Sequence, residues 1–204
     1  MDIADRRLAL RDALIIAAER AVAARGLAGL RARELAAEAG CAIGAIYNVF
    51  DDLDDLVVVV NGRTLVALEK ALADAGGVKP GGPSDPDAAA KSLVTMALAY
   101  LDFAAGNAAR WRALFDHRLP VGKNLPDWYL ADQIKLFGYV ERPLRALKPT
   151  LKPAERALLA RSLFSAVHGV VTLGLEEKLG VVPLATLRKQ VALVVAATVR
   201  GLAD

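Results

Sequence analysis

Apolar residues return at steps of three and four along almost the whole of this 204-residue chain, and no alternating run is followed by a second that could pair with it. Such a chain buries its apolar surface by packing helix on helix. Composition agrees: 40 alanines and 32 leucines, about a third of the residues together, are strong helix formers. With 55% hydrophobic and 24% charged residues, the chain can build a sizeable core and is not of the disordered class. The single cysteine, Cys41, excludes an internal disulfide or a cysteine-rich metal site and suits a reducing cytoplasm. The apolar run Val191 to Ala197 is far short of the roughly 18 residues of a membrane span. The start Met1-Asp2-Ile3-Ala4-Asp5 lacks the basic region of a secretory signal, so a soluble cytoplasmic protein is expected. A net charge of +3 permits nucleic-acid binding without requiring it.

The first amphipathic stretch, residues 5 to 25, carries Leu10, Leu14, Ala17, Ala18, Ala21 and Val22 on one face and stops at Gly26. Short helices follow at about 32–39 and 43–49, separated by Gly40-Cys41-Ala42. Two short helices on a three-residue turn containing glycine have the form of a helix-turn-helix, whose second helix can lie in a major groove. Asp51-Asp52-Leu53-Asp54-Asp55 suits the first turn of another helix. Leu56 to Val60 followed by Asn61-Gly62 has the local look of a strand and hairpin turn, but Leu65, Leu68 and Leu72 repeat at helical spacing, so a helix over 53–75 is expected. The Gly- and Pro-rich segment 76–86 is a hinge or linker. Further helices are expected at 87–105, 107–117, 127–146 with a bend or break before Pro143, 154–178, and after Pro183. The domains are then residues 1–52 and 53–204.

The run Gly26-Leu27-x-x-Leu30-x-x-Arg33-x-Leu35-Ala36-x-x-Ala39-Gly40-Cys41-Ala42-Ile43-Gly44-Ala45-Ile46-Tyr47-Asn48-Val49-Phe50 resembles the DNA-binding domain of the TetR/AcrR family of bacterial transcriptional regulators. Leu163 to Leu173, centred on Val167-His168-Gly169, is similar to the WHG-type TetR C-terminal domain, with Phe164 where that pattern has tryptophan. The resemblance implies an all-α TetR-like fold of about nine helices, with a three-helix DNA-binding head and a C-terminal helical bundle. It also implies a homodimer that binds a palindromic double-stranded operator and is released by a small-molecule effector, with no cofactor and no enzymatic activity.

By that resemblance the DNA face comprises Arg31, Arg33, Ala42, Ile43, Gly44, Ala45, Tyr47 and Asn48. Tyr47 would offer its hydroxyl to a phosphate, Asn48 would read a base edge or a phosphate, and Gly44 would let the backbone approach the duplex. Arg31, Arg33, Arg6 and Arg7 would neutralise phosphates, while Ile46 and Phe50 face inward. The family usually has Ser or Thr where this chain has Ala42 and Ala45, and a basic residue where Asp51-Asp52 stands. Carboxylates there would repel a phosphate unless they turn inward to cap the next helix, and the chain is expected to make fewer direct contacts and bind more weakly than the family norm.

Met96, Tyr100, Phe103, Trp111, Phe115, Trp128, Phe137 and His168 are candidates to line a cavity for an apolar or aromatic effector. For His168 the other reading is a core histidine satisfied by neighbours, and for His117 it is a helix end. Cys41 reads as packing. Leu163, Val167, Val170, Val171, Gly174, Leu187, Val191, Val194 and Val195 form stripes suited to a two-fold four-helix interface, or to burial within one subunit. No metal site is expected from two histidines and one cysteine. Two other functions stay open: a small helical enzyme, for which no nucleophile–base pair, carboxylate pair or phosphate loop stands out, and a TetR-like protein with a weakened head working through a protein partner.

Overall fold

A computed structural model describes residues 2–76, 83, 85–178 and 180–203. Their regular structure is helical: α1 (Ile3–Arg25), a 3-10 turn (Gly26–Gly29), α2 (Ala32–Glu38), α3 (Ile43–Ile46), α4 (Leu53–Gly76), α5 (Pro86–Gly106), α6 (Ala108–Asp116), α7 (Asp127–Leu147), α8 (Pro153–Leu175) and α9 (Leu184–Ala203). The all-α expectation is met, and no strand forms among the described residues. Most of the segment expected to be a linker, 77–82 and 84, lies outside the described residues.

The chain divides into two compact units, residues 1–66 with 107–130, and residues 67–106 with 131–204. This division by packing differs from a cut at 52/53 because the core of the first unit draws on both sides of that cut. Leu14, Ile15, Ala18 and Val22 of α1 meet Leu35 of α2, Ile46 of α3, Phe50, Leu56 and Val60 of α4, and Ala113 of α6. Complete burial of a leucine or isoleucine such as Leu14, Ile15, Ile46 or Leu56 stabilises by about 1.5–3 kcal/mol. Asp2 caps α1, its side chain accepting the Ile3 N–H, while Asp5 reaches back to the Asp2 N–H at 3.2 Å.

The strand-like run is helical because it is covered on nearly every side: Leu56, Val57, Val58 and Val60 are buried and Val59 is half-buried. Asn61, also buried, donates from Nδ2 to the Ala113 carbonyl at 3.1 Å. Gly62 makes no turn; it leaves room for Trp128, whose ring would lie 2.5 Å from an added Cβ.

The second unit contains α5, α8 and α9, most of α7 and the C-terminal part of α4. Leu93, Met96, Ala97, Tyr100, Leu101 and Ala104 form the buried face of α5, and Leu187, Val191, Val195 and Val199 that of α9. Of the bend or break expected before Pro143, the break does not occur: helix α7 continues through Pro143 to Leu147. The proline removes one donor, and burial of Tyr139, Leu144 and Leu147 on the same helix offsets that loss. Helix α8 ends at Leu175, three residues before the expected Lys178, because Glu177 takes a left-handed φ of 54°. Helices α5 and α8 are each long and apolar enough to cross a membrane by length and composition. Here α5 is a core helix, whereas only Ala160 and Val171 are buried on α8.

Candidate nucleic-acid interface

The α2–α3 turn is set by local hydrogen bonding. Gly40 has a φ of 68°, a region that disfavours side chains, and its N–H donates to the Ala37 carbonyl at 3.3 Å while Cys41 N–H reaches Ala36 at 2.9 Å. This pair of bonds is a Schellman motif: it ends α2 and swings the chain into α3. Half-buried Cys41 packs on the head core.

Ala42 is the N-cap of α3, and without a side-chain oxygen it caps nothing; the turn closes through Ala45 N–H to its carbonyl at 2.9 Å. Regular helix covers Ile43 to Ile46, not the expected 43–49, and the chain then tightens, with Asn48 bonded to Ala45 at 3.3 Å and Val49 to Ile46 at 3.0 Å. Ile46 is fully buried and Phe50 nearly so, which fixes the roll of the segment and turns Ala42, Ile43, Gly44, Tyr47 and Asn48 outward. Ala45 is half-buried. Tyr47 is 51% exposed, an unusual position for a large aromatic on a segment so firmly anchored. Space around a Gly44 Cβ is open.

Exposed cations lie on α1 and at the start of α2. Arg31 and Arg33 are exposed at the start of α2; Arg31 lies 3.7 Å from Glu34, which also pairs with Arg25, and Arg33 has no ion pair among the described residues. Arg6 and Arg7 are exposed on the first turns of α1. Arg11 stacks over the Phe50 ring at 5.4 Å.

The acids after Phe50 are largely engaged. Asp52 accepts the Asp55 N–H at 3.0 Å and so caps α4. Both its oxygens hold Lys123 Nζ, at 2.6 and 2.7 Å, and the same ammonium lies 2.6 Å from Asp55 Oδ1. The Lys123 hydrogen bond and the cap bond hold the Asp52 carboxyl below the usual carboxylate range. Desolvation works to lower the Lys123 pKa, but its hydrogen bonds to Asp52 and Asp55 outweigh this and raise it. His117, half-buried at the end of α6, meets Asp54 Oδ1 at 2.8 Å. Asp51 is the most exposed of the four. The sequence flagged the acids but not their partners: Lys123 lies 71 residues from Asp52.

The eight effector candidates fall in different units. Trp111, Phe115 and Trp128 belong to the first, where Trp111 is buried and Phe115 meets it edge-on at 5.5 Å. Met96, Tyr100, Phe103, Phe137 and His168 belong to the second. There Tyr100 Oη lies 2.8 Å from His168 Nδ1, and Thr172 Oγ1 lies 3.2 Å from Nε2. Phe164 stacks on the imidazole at 5.6 Å and meets Tyr100 and Phe137 edge-on at 5.5 and 5.6 Å. Burial pushes the His168 pKa down, partly opposed by Glu176, and favours the neutral ring. Phe164 and Thr172 were not among the candidates, although 164, 168 and 172 share one helical face by their spacing.

Of the interface candidates, Val171, Leu187, Val191 and Val195 are buried within the chain, and Leu163, Val167, Val170, Gly174 and Val194 are half-buried. Gly174 faces Leu187 so closely that a Cβ would lie 2.5 Å from its Cδ1. The exposed large apolar residues on α8 and α9 themselves are Leu158, Leu173, Leu184 and Leu193. No group of three or more His, Cys, Asp or Glu side chains suited to a metal occurs among the described residues.

Residues 14–60 match the family model described as bacterial regulatory proteins of the tetR family, and residues 93–198, just over half of the chain, match the tetracyclin repressor-like C-terminal domain. A protein of unknown function from Rhodococcus sp. RHA1 superposes with a TM-score of 0.71 at 23% identity, covering 96% of each chain. RolR, solved in complex with resorcinol, gives 0.65 at 17% identity over 98% of this chain and 96% of its own. A TetR-family transcriptional regulator from Bordetella parapertussis 12822 gives 0.60 at 17% identity over 91% and 93%. At such identities these structures establish the fold alone. No curated protein sequence matches the chain.

Proposed function

The chain belongs to the TetR family of bacterial transcriptional regulators, and on that premise we propose that it is a repressor which binds a near-palindromic operator as a homodimer and lets go when a small molecule occupies its C-terminal unit. The observation that carries this reading is the outward face of the 42–48 segment: buried Ile46 and Phe50 lock the segment, Tyr47, Asn48 and Gly44 are exposed, and so are Arg31 and Arg33 at the start of α2. An exposed tyrosine on a rigid backbone suits a phosphate contact, and a side-chain-free Gly44 permits close approach of the duplex. The uncapped start of α3 leaves phosphate contacts to backbone donors and arginines, which makes the interaction salt-dependent.

Dimerisation is supported by α8, an apolar helix of 23 residues on which only Ala160 and Val171 are buried within the chain. Covering Leu158 and Leu173 of α8 and Leu193 of α9 with their copies would give a four-helix interface and two heads for two half-sites. For the effector, the Tyr100–His168–Thr172 chain walled by Phe164 and Phe137 offers hydroxyl and imidazole groups among aromatic rings. That combination suits a small aromatic molecule bearing a hydroxyl, and RolR, of the same fold, was solved with resorcinol.

Fluorescence anisotropy of the duplex upstream of the protein's own gene, at several salt concentrations and with Tyr47→Ala as control, tests the function. Nanomolar, salt-steep binding lost in the control is expected; micromolar binding that ignores sequence and Tyr47 overturns the reading. Light scattering at micromolar concentration should return a dimer, and a monomer would remove palindromic recognition.

A further inference from the structure

Four carboxylates, Asp51, Asp52, Asp54 and Asp55, follow the 42–50 segment directly, where a duplex seated on Tyr47 and Asn48 would bring phosphates near. The backbone between is a fixed turn, with Phe50 N–H bonded to the Ile46 carbonyl at 3.0 Å, so these acids cannot swing away as a body. The connection between α6 and α7 lies over them instead. Its Lys123 ammonium bridges Asp52 and Asp55 with three contacts of 2.6 to 2.7 Å, and its His117 ring meets Asp54 at 2.8 Å.

Lys123 is only 26% exposed, against 45% for the Asp52 side chain, so the cation is held inward of the carboxylate it serves. A lysine so placed contributes little as a phosphate contact of its own. Its effect is to cancel charge on Asp52 and Asp55 while fixing the Asp52 rotamer that caps α4. We propose that Lys123 is a positioning residue of the DNA-reading surface: it screens the acidic start of α4 so that the duplex can approach Tyr47. The proposal rests on the DNA-binding reading above and extends the reading surface to Lys123, 71 residues from Asp52 and outside the stretch matched by the N-terminal family model.

The test uses a duplex that the parent protein recovers from a random-sequence pool, with affinity read by anisotropy at low and high salt. An unscreened unit charge about 10 Å from a phosphate in a watery environment weakens binding about twofold, hence about fourfold for a complex with two heads. Lys123→Met should show that loss at low salt and lose most of it at high salt, where the screening length falls to a few ångströms. Lys123→Arg should bind like the parent, and Asp52→Asn added to Lys123→Met should recover most of the affinity, since asparagine keeps the cap and drops the charge. Parent-like binding by Lys123→Met, or a loss that Asp52→Asn fails to recover, overturns the proposal while leaving the function intact. A parent that recovers no preferred duplex overturns the function and the proposal with it.

Discussion

Replacing Asp52 separates its two roles, because alanine removes both and asparagine only one. The carboxylate accepts the Asp55 N–H at 3.0 Å as the cap of α4 and pairs with Lys123 at 2.6 and 2.7 Å. Loss of a cap costs about 1 kcal/mol. The ion pair, with Asp52 45% exposed, is screened by water and contributes at most about 1 kcal/mol. Asp52→Ala should therefore destabilise the protein by about 1–2 kcal/mol, and Asp52→Asn by less than about 1 kcal/mol. At about 2–4 °C per kcal/mol for a chain of this size, the alanine variant should melt roughly 2–8 °C lower. The Asp52 pKa is lowered in the folded state by Lys123 and by the cap, so the charge-dependent stability is complete above the unfolded value of 3.8 and fades as pH falls through the folded one. Urea unfolding followed by circular dichroism at neutral pH and at about pH 3 measures both effects. The gap between parent and Asp52→Asn should narrow in acid. An asparagine variant as unstable as alanine, or a gap that acid leaves unchanged, would refute the assignment of separate cap and charge contributions.

Leu14→Ala, at a fully buried position of the head core, should cost about 3–5 kcal/mol in urea unfolding; a cost under about 1 kcal/mol would show that the site collapses freely. Gly174→Ala sets a Cβ against buried Leu187, and overpacking of about 1–3 kcal/mol should exceed the helix gain of about 1 kcal/mol. Adding Leu187→Ala should then cost less than the sum of the two single losses, as a double-mutant cycle reports. Burial lowers the His168 pKa, so the stability it confers is whole above the unfolded value of 6.5 and is lost as pH falls below it. His168→Gln should flatten stability between about pH 5 and 6.5, read by thermal melts across that range.

The head was legible because its determinants are local. A glycine at a left-handed turn, apolar spacing on α1 that returns as buried Leu14, Ala17, Ala18, Ala21 and Val22, and inward Ile46 and Phe50 all lie within one short stretch. Val57, Val58 and Val60 have the local look of strand residues, but the helical spacing of Leu65, Leu68 and Leu72 decides for a helix, and in α4 the run is buried. Pro143 signalled a bend or a break, and the helix runs through it unbroken. Long-range pairs left no periodic trace, so neither Lys123 with Asp52 nor Tyr100 with His168 followed from spacing. The aromatics could be gathered as a class from sequence, but their division between two units is a property of packing.

Selection of bound duplexes from a random-sequence pool by the parent protein tests the central claim most directly. Two heads presented by one dimer should enrich an inverted repeat whose half-sites are centred about one helical turn apart or slightly more, and Tyr47→Ala should abolish the enrichment. A pool that yields no motif, or the same motif with Tyr47→Ala, would contradict the assignment of the 42–48 face as the DNA reader.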